Sequence, residues 1–268
     1  SLGLVGSEMC IRDRFYLMPI LICIISAFFW AIFDLTRKLS LKKINSVNLL
    51  LIFTITQFII FLIWIFIDNF SINLIPYLLP GIILIFVGLF SALLFLKAIQ
   101  QSDLSLTIPL LSFSPMFSSI FSFFFLNEQL SKIQYFGVFL IIFGALILYS
   151  KKLTLEEFLK SFKVILKNSS AKLMIIVSII WSLTPVLDKL CLEHSSINFH
   201  GFIQSLGMII LLIFLFKKDK VQTLNTKKNW RLILLTVFVG STATILQFYA
   251  ILTNYVPTVS YTHLTLPT

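Results

Sequence analysis

Charge is scarce in this chain of 268 residues: Asp, Glu, Lys and Arg together make up 12% of it. Acid is scarcer than base, with 11 Asp and Glu against 21 Lys and Arg. Glycine occurs nine times and cysteine three times. So little charge cannot clothe the surface of a soluble domain. The sequence holds no H-E-x-x-H, no Gly-x-Ser-x-Gly and no Walker motif, so it offers no signature of a metalloprotease, a serine hydrolase or an ATP-driven pump. The cysteines lack metal-site spacing; Cys23 and Cys191 read as packing residues. What fills the chain instead is apolar: 58% hydrophobic residues, 29 of them Phe, and a mean hydropathy of +1.00. The formal charge of +10 would suit nucleic acid, but the lysines sit between apolar runs. They read as membrane-flanking charge, and nucleic acid is not an expected partner.

The two ends match neither the membrane nor each other. Codons for "LVGSEMCIRDR" (4–14) and "VSYTHLTLPT" (259–268) fit the two strands of one DNA element, CTGTCTCTTATACACATCT and its reverse complement. That element looks like the end of a transposase-based sequencing-library adapter. Residues 1–14 and 259–268 are therefore read as translated adapter. Neither holds an apolar run near spanning length, so neither is expected to pack as a membrane helix. Glu8, Cys10, Arg12, Asp13 and His263 then leave the functional argument, and Arg37 and Arg231 are the arginines that remain.

A spanning helix needs about 20 apolar residues. The candidates are 18–37, 47–67, 75–97, 104–126, 133–150, 173–190, 197–216 and 232–252. No segment shows strand alternation, and only helices cross a bilayer without closing a barrel. The stretch "LTLEEFLKSFKVILKNSS" (153–170) differs. Leu155, Phe158, Leu159, Phe162 and Ile165 recur at helical spacing, lysines occupy other faces, and Thr154 with Glu157 fits a capping box. It predicts an amphipathic helix lying on the membrane surface.

The parts on either side of that stretch resemble each other. The first span reads "FFWAIFDLTRK" and the sixth "IIWSLTPVLDK". Trp30 precedes Lys38 by the same spacing as Trp181 precedes Lys189. Gly88 with Ala98 in the third span matches Gly240 with Ala250 in the eighth. A duplication predicts an all-α polytopic bundle of ten spans in two five-helix repeats. Eight are present, with the second repeat ending after its third helix. The expected organisation is a first repeat over 15–150, a basic linker over 151–171 and an incomplete second repeat over 172–258.

The stretch 95–150 carries an alanine-ended helix, a proline-bearing helix with a second "SP", the acidic turn "NEQLS" and a helix with Gly137 and Gly144. In that order, and with the tryptophan-to-lysine spacing, the chain over about 15–257 resembles the EamA-type branch of the drug/metabolite transporters. The resemblance implies two five-helix repeats around a central cavity, and transport of small metabolites by alternating access. It also implies that both termini lie in the cytoplasm. The charge count opposes this. Loops 37–46, 97–103, 151–172 and 217–231 hold 17 Lys and Arg, and the opposite side only Lys132 and Lys189. Positive charge marks the cytoplasmic side, which would set the natural N-terminus outside.

Asp34 is the most informative single residue. A carboxylate inside a span costs about 2.5–3.5 kcal/mol on insertion scales, so it faces the bundle interior or finds a partner. It either neutralises Arg37 or Lys38, one turn away, or binds a substrate amine or a coupling proton. Lys38 and Lys189 either snorkel at span ends or bind substrate. Trp30 and Trp181 sit mid-span and either line a cavity or pack. Gln57, Gln204 and Gln247 bond across helices or touch ligand. Asp188 reads as a helix-end charge, Glu128 as part of a turn, and His194 and His200 as residues in or beside one joint. Pro80, Pro109, Pro115 and Pro185 kink helices or free a carbonyl for substrate. Gly81, Gly88, Gly137 and Gly144 read as close helix packing.

The expected substrate-binding set is Trp30, Asp34, Lys38, Trp181, Lys189 and Gln247. No catalytic residue, metal or cofactor is expected. The leading function is a secondary transporter for a small metabolite in the cell inner membrane. Its partners are that small molecule and the lipid bilayer, with a homodimer as an option. The competing classes are a membrane-embedded enzyme of lipid or nucleotide-sugar metabolism and a non-transporting scaffold.

Overall fold

The computed structural model describes residues 2–101, 108–149, 168–215 and 229–265. These residues form nine α-helices: α1 (Leu2–Leu41), α2 (Ser46–Ile67), α3 (Leu74–Gln101), α4 (Ser114–Leu126), α5 (Lys132–Tyr149), α6 (Ser169–Leu192), α7 (Ile197–Leu215), α8 (Trp230–Thr253) and α9 (Val256–Thr265). A 3-10 turn, Ile108–Phe113, leads directly into α4. No β-strand occurs among the described residues apart from one isolated bridge between Ile72 and Ser195. The predicted surface helix falls outside the described residues over 153–167.

Local chemistry sets the helix ends. The Asn45 side chain accepts the Val47 N–H at 3.0 Å and starts α2. The Asn168 side chain accepts the N–H groups of Ser170 and Ala171 and starts α6. Pro115 stands in the first turn of α4, where its missing N–H costs nothing. Asn127 closes α4 in the left-handed region, φ 54°, and the Glu128 N–H returns to the Ser122 carbonyl at 3.2 Å. That turn folds the chain back sharply enough to aim Glu128 into the bundle.

Seven helical stretches are long and apolar enough to cross a membrane, the first being Met18–Leu41 and the last Trp230–Thr253. The helix predicted at 133–150 is present as α5, with a shorter described apolar stretch, Lys132–Gly144. The outside of the bundle is apolar. Phe66, Ile75, Ile133 and Phe214 are each more than four-fifths exposed. In water such a surface would aggregate; in a bilayer it is the solvated face. Inside the spans, Thr54, Ser205 and Ser241 return their hydroxyls to the carbonyl four residues earlier, so these buried donors are satisfied within their own helix.

The helices pair across the chain. The first helix, α1, packs chiefly along α8, the third, α3, along α6, and α2 along α7. Two buried clusters mark the ends of the bundle. One gathers Leu41, Leu50, Ile99, Leu111, Met174 and Leu212, at the face that carries residues 42–45. The other gathers Phe61, Leu192, Ile197, Ile251 and Val256, at the face that carries the joints 68–73, 127–131, 193–196 and 254–255. These are called below the linker face and the joint face.

Two expectations are corrected. The closing segment was expected not to pack, yet Val259 and Ser260 are buried. Val256, Val259 and Ser260 recur at helical spacing, so a helix over Val256–Thr265 turns them onto α4 and α1. At the opening end the backbone is helical from Leu2. The glycines expected at close helix contacts are also the wrong ones. A Cβ at Gly88, Gly137 or Gly144 would meet nothing within 4 Å, and at Gly81 only Tyr77 of the same helix. The close approaches between helices are at Gly240, whose added Cβ would lie 2.5 Å from the Phe33 ring, at Gly201, 2.4 Å from the Phe61 ring, and at Gly207, 2.4 Å from the Ile85 side chain. Gly240→Ala and Gly201→Ala are each expected to cost about 1–3 kcal/mol through overpacking, and Gly88→Ala close to nothing. Thermal unfolding in detergent checks this, and equal midpoints for all three variants would count against it.

Candidate functional site

A cavity of about 250 Å3 lies between α1, α2, α3, the 3-10 turn, α4, α6, α7, α8 and α9. Trp30, Phe33, Asp34, Arg37, Phe53, Trp181, Pro185, Gln247 and Ser260 are among its lining residues. It reaches from mid-bundle towards the linker face, because Leu49, Leu50, Leu96 and Leu111 of that face's cluster also line it. Its wall is mostly aromatic and aliphatic, with a few polar groups converging from different helices. That is the ordinary build of a small-molecule site.

Four of the six expected site residues meet here: Trp30, Asp34, Trp181 and Gln247. Trp30 and Asp34 are one turn apart on α1, as the spacing predicted. Trp181 is fixed from two directions. Its Nε1 donates to Ser91 Oγ at 3.0 Å, and its ring stacks on Phe95 with centroids 4.6 Å apart. Pro185 removes the N–H that would bond the Trp181 carbonyl. The Thr184 hydroxyl donates to that carbonyl at 3.2 Å, so the acceptor freed by the proline is bonded within its own helix.

Asp34 has its neutralising partner. The Arg37 guanidinium donates to its carboxylate in a buried ion pair. The guanidinium carbon also lies 4.1 Å from the Phe33 ring centroid and 4.4 Å from that of Phe95. Two rings thus hold the cation face on, with cation–π attraction strengthened by desolvation. The Arg37 Nε has no hydrogen-bond partner among the described residues. Arg37 entered the sequence reading only as a partner for Asp34; the structure places both groups in the cavity wall.

Lys38 and Lys189 do not line the cavity. Lys38 Nζ donates to the Ile99 carbonyl, near the end of α3. Lys189 Nζ donates to the Asn254 carbonyl at 3.0 Å, just past the end of α8. Each reaches from the first helix of its half to the C-terminal end of the third, where unpaired carbonyls and the helix dipole favour a cation. Spacing alone gave the shared face but not the direction of a long, flexible side chain.

The joint face is tied by Glu128. Its Oε1 accepts from Lys189 Nζ, and its Oε2 accepts the Val256 N–H at 2.9 Å, in the first turn of α9. A residue read as part of a turn therefore knots the α4–α5 joint to α6 and α9. Gln57 bonds across helices, donating to Thr244 Oγ1 at 2.9 Å. Asp188, read as a helix-end charge, lies one turn before the end of α6. It is buried and bonded to His200, across the α6–α7 joint. Cys23 and Cys191 are buried and free. No group of three or more His, Cys, Asp or Glu gathers into a metal site among the described residues.

A lipid-facing exterior, a proline-marked interior and a charged pair in the wall of an aromatic cavity define a multi-pass helical membrane protein with an internal cavity. The sequence model of the EamA-like transporter family matches residues 17–150 and 168–267. The chain belongs to the EamA-like transporter family, and so to a family of transporters. The matched stretch runs through 259–267, the residues read above as adapter-derived. No curated protein matches the chain.

Proposed function

We propose that the protein is a secondary transporter that carries a small metabolite across the membrane by alternating access. The observation that carries this reading is the cavity's asymmetry. It reaches towards the linker face, while at the joint face Glu128 ties helices of both halves together through Lys189 and Val256. Such a site, closed at one end by breakable polar contacts, is what alternating access needs. The cavity volume of about 250 Å3 is at the small end of the range of about 300–1,000 Å3 for ligand pockets, which favours a metabolite over a lipid. The apolar part of the substrate would lie among Trp30, Phe33, Phe53 and Trp181, and its polar group would meet Asp34, Arg37 or Gln247.

The test is counter-flow. Proteoliposomes holding the natural chain are loaded with a cell metabolite extract and diluted, and released compounds are identified by mass spectrometry. A defined compound should leave faster than from protein-free vesicles. If no compound does so in any preparation, the transporter reading falls to the scaffold alternative.

The lysine and arginine distribution supports a cytoplasmic linker face. A single cysteine at Ser169, exposed at the start of α6, is then expected to resist an impermeant thiol reagent added outside intact cells. Efficient labelling would instead support the family's usual orientation.

A further inference from the structure

A second set of ionisable groups lies outside the cavity wall, one turn below the joint face. Tyr77 stands at the start of α3, Asp188 near the end of α6, and His200 in the first turn of α7. His200 is completely buried. Its Nε2 lies 3.0 Å from Asp188 Oδ1, and its Nδ1 lies 3.0 Å from the Tyr77 hydroxyl. Gln204 Nε2 donates to the Tyr77 oxygen and to the Gly81 carbonyl, both at 3.3 Å. Burying an imidazole, a carboxylate and a phenol together inside apolar helices is costly unless each is bonded. Packing alone would be served as well by apolar side chains.

The bonding directions form one chain. An ionised Asp188 can only accept, so His200 Nε2 carries a hydrogen. In a neutral ring Nδ1 is then an acceptor, and the Tyr77 hydroxyl donates to it. Gln204 donates to the phenol oxygen, and every donor is matched. A second proton on the ring would have to sit on Nδ1. The imidazolium would then donate from both nitrogens, its charge balanced by Asp188. Tyr77 would have to accept at Nδ1 and send its own hydrogen elsewhere. One proton therefore reverses a contact between α3 and α6–α7, along the α3–α6 interface that joins the two halves.

From these distances we propose that Asp188, His200 and Tyr77 form a proton-binding site, and that the proton bound there is the ion coupled to transport. This rests on the transporter reading and deepens it by naming the coupling ion and its site. An imidazole is the side chain whose charge changes between about pH 5 and 8. The titratable groups facing His200 are Tyr77 from α3 and Asp188 from α6, with Cys191 packed beside Tyr77. On α8 its neighbour is the Phe248 ring, 4.9 Å away between centroids, and on α2 the Phe61 ring packs against the adjacent Gly201. The next residue, Lys189, directs its ammonium to Glu128 and Asn254. It links the proton site to the knot that closes the joint face.

Two measurements test this. The first is the 15N spectrum of labelled histidine in the full chain in detergent, with His200 assigned by loss of its signals in His200→Gln. Acidifying the sample should convert the ring from the Nε2–H tautomer to the form with hydrogen on both nitrogens. Tyr77→Phe, which cannot donate to Nδ1, should change that titration. A His200 that keeps one tautomer from pH 5 to 8, or ignores Tyr77→Phe, overturns the proton site. The second uses proteoliposomes loaded with a metabolite extract, followed by mass spectrometry with and without a pH gradient. Wild type should exchange a compound and accumulate it when a pH gradient is imposed. His200→Gln should still exchange it but accumulate at least about tenfold less. Equal accumulation by the variant, or exchange in wild type that no pH gradient drives, overturns the coupling role alone. No exchange by either protein removes the transporter reading, and this inference with it.

Discussion

Asp34→Asn is expected to lower stability and to abolish transport, and the two losses are expected to separate. The Arg37 guanidinium is held between Phe33 and Phe95 with Asp34 as its anion. Removing the carboxylate strands a buried charge, a change that costs about 3–5 kcal/mol in such pairs. Asp34→Asn with Arg37→Gln removes both charges and should recover most of that stability, because two neutral amides can bond where the ion pair stood. Transport should not return, since both side chains line the cavity and the amides cannot reproduce their charges. The checks are thermal unfolding in detergent and counter-flow from metabolite-loaded vesicles. A stable double variant that transports at the wild-type rate would reduce the pair to a structural device.

Glu128→Gln is expected to open the joint face. Its carboxylate neutralises Lys189 and holds the Val256 N–H at 2.9 Å; the amide keeps the size but loses the charge. Each 1.4 kcal/mol or so removed from the closed state raises the open population about tenfold. A single cysteine at Ser118 reports it. Ser118 is completely buried, its hydroxyl 3.1 Å from that of Ser260. In a background without other cysteines, thiol labelling should be at least about tenfold faster in Glu128→Gln, and Glu128→Asp should recover part of the protection. Identical labelling rates with and without the carboxylate would remove the gate from the mechanism.

The helices were legible because apolar run length is nearly all that a bilayer asks of a segment. The run 47–67 became Ser46–Ile67, and 197–216 became Ile197–Leu215. Where the reading missed, polar chemistry decided. α6 starts at Ser169 and not 173 because Asn168 caps it, a signal present in the sequence as Asn-Ser-Ser but outweighed by hydropathy. The fourth span opens as a 3-10 turn, Ile108–Phe113, where two prolines within seven residues interrupt regular α-helix.

In the site, Asp34 was legible because a charge inside a span is expensive and so informative. Helical spacing offered Arg37 or Lys38 as its partner, and the central cavity was what the family resemblance implied. Lys38 and Lys189 fall outside the cavity wall, because periodicity fixes a Cα, not the far end of a four-carbon stem. The bond between Asp188 and His200 was missed because it crosses a joint. A signal was available: in an antiparallel helix pair, a residue one turn before the joint lies level with one a turn after it. Glu128 could not be read at all without knowing that the left-handed Asn127 turns the chain inward.

A chain whose helices find their main neighbours in the other half cannot finish its core while the second half is still on the ribosome. Each of α1 to α5 closes its own backbone hydrogen bonds, so each can be inserted and wait in lipid. Their inward faces wait as well. Gly240 has yet to receive the Phe33 ring, α3 has no α6 to lie against, and Glu128 has no Lys189. During synthesis the first half is therefore a set of inserted but loosely assembled helices, held more by the bilayer than by one another. Biogenesis becomes a late zippering of two interleaved halves, in which a defect in α6 or α8 leaves the helices made first without partners.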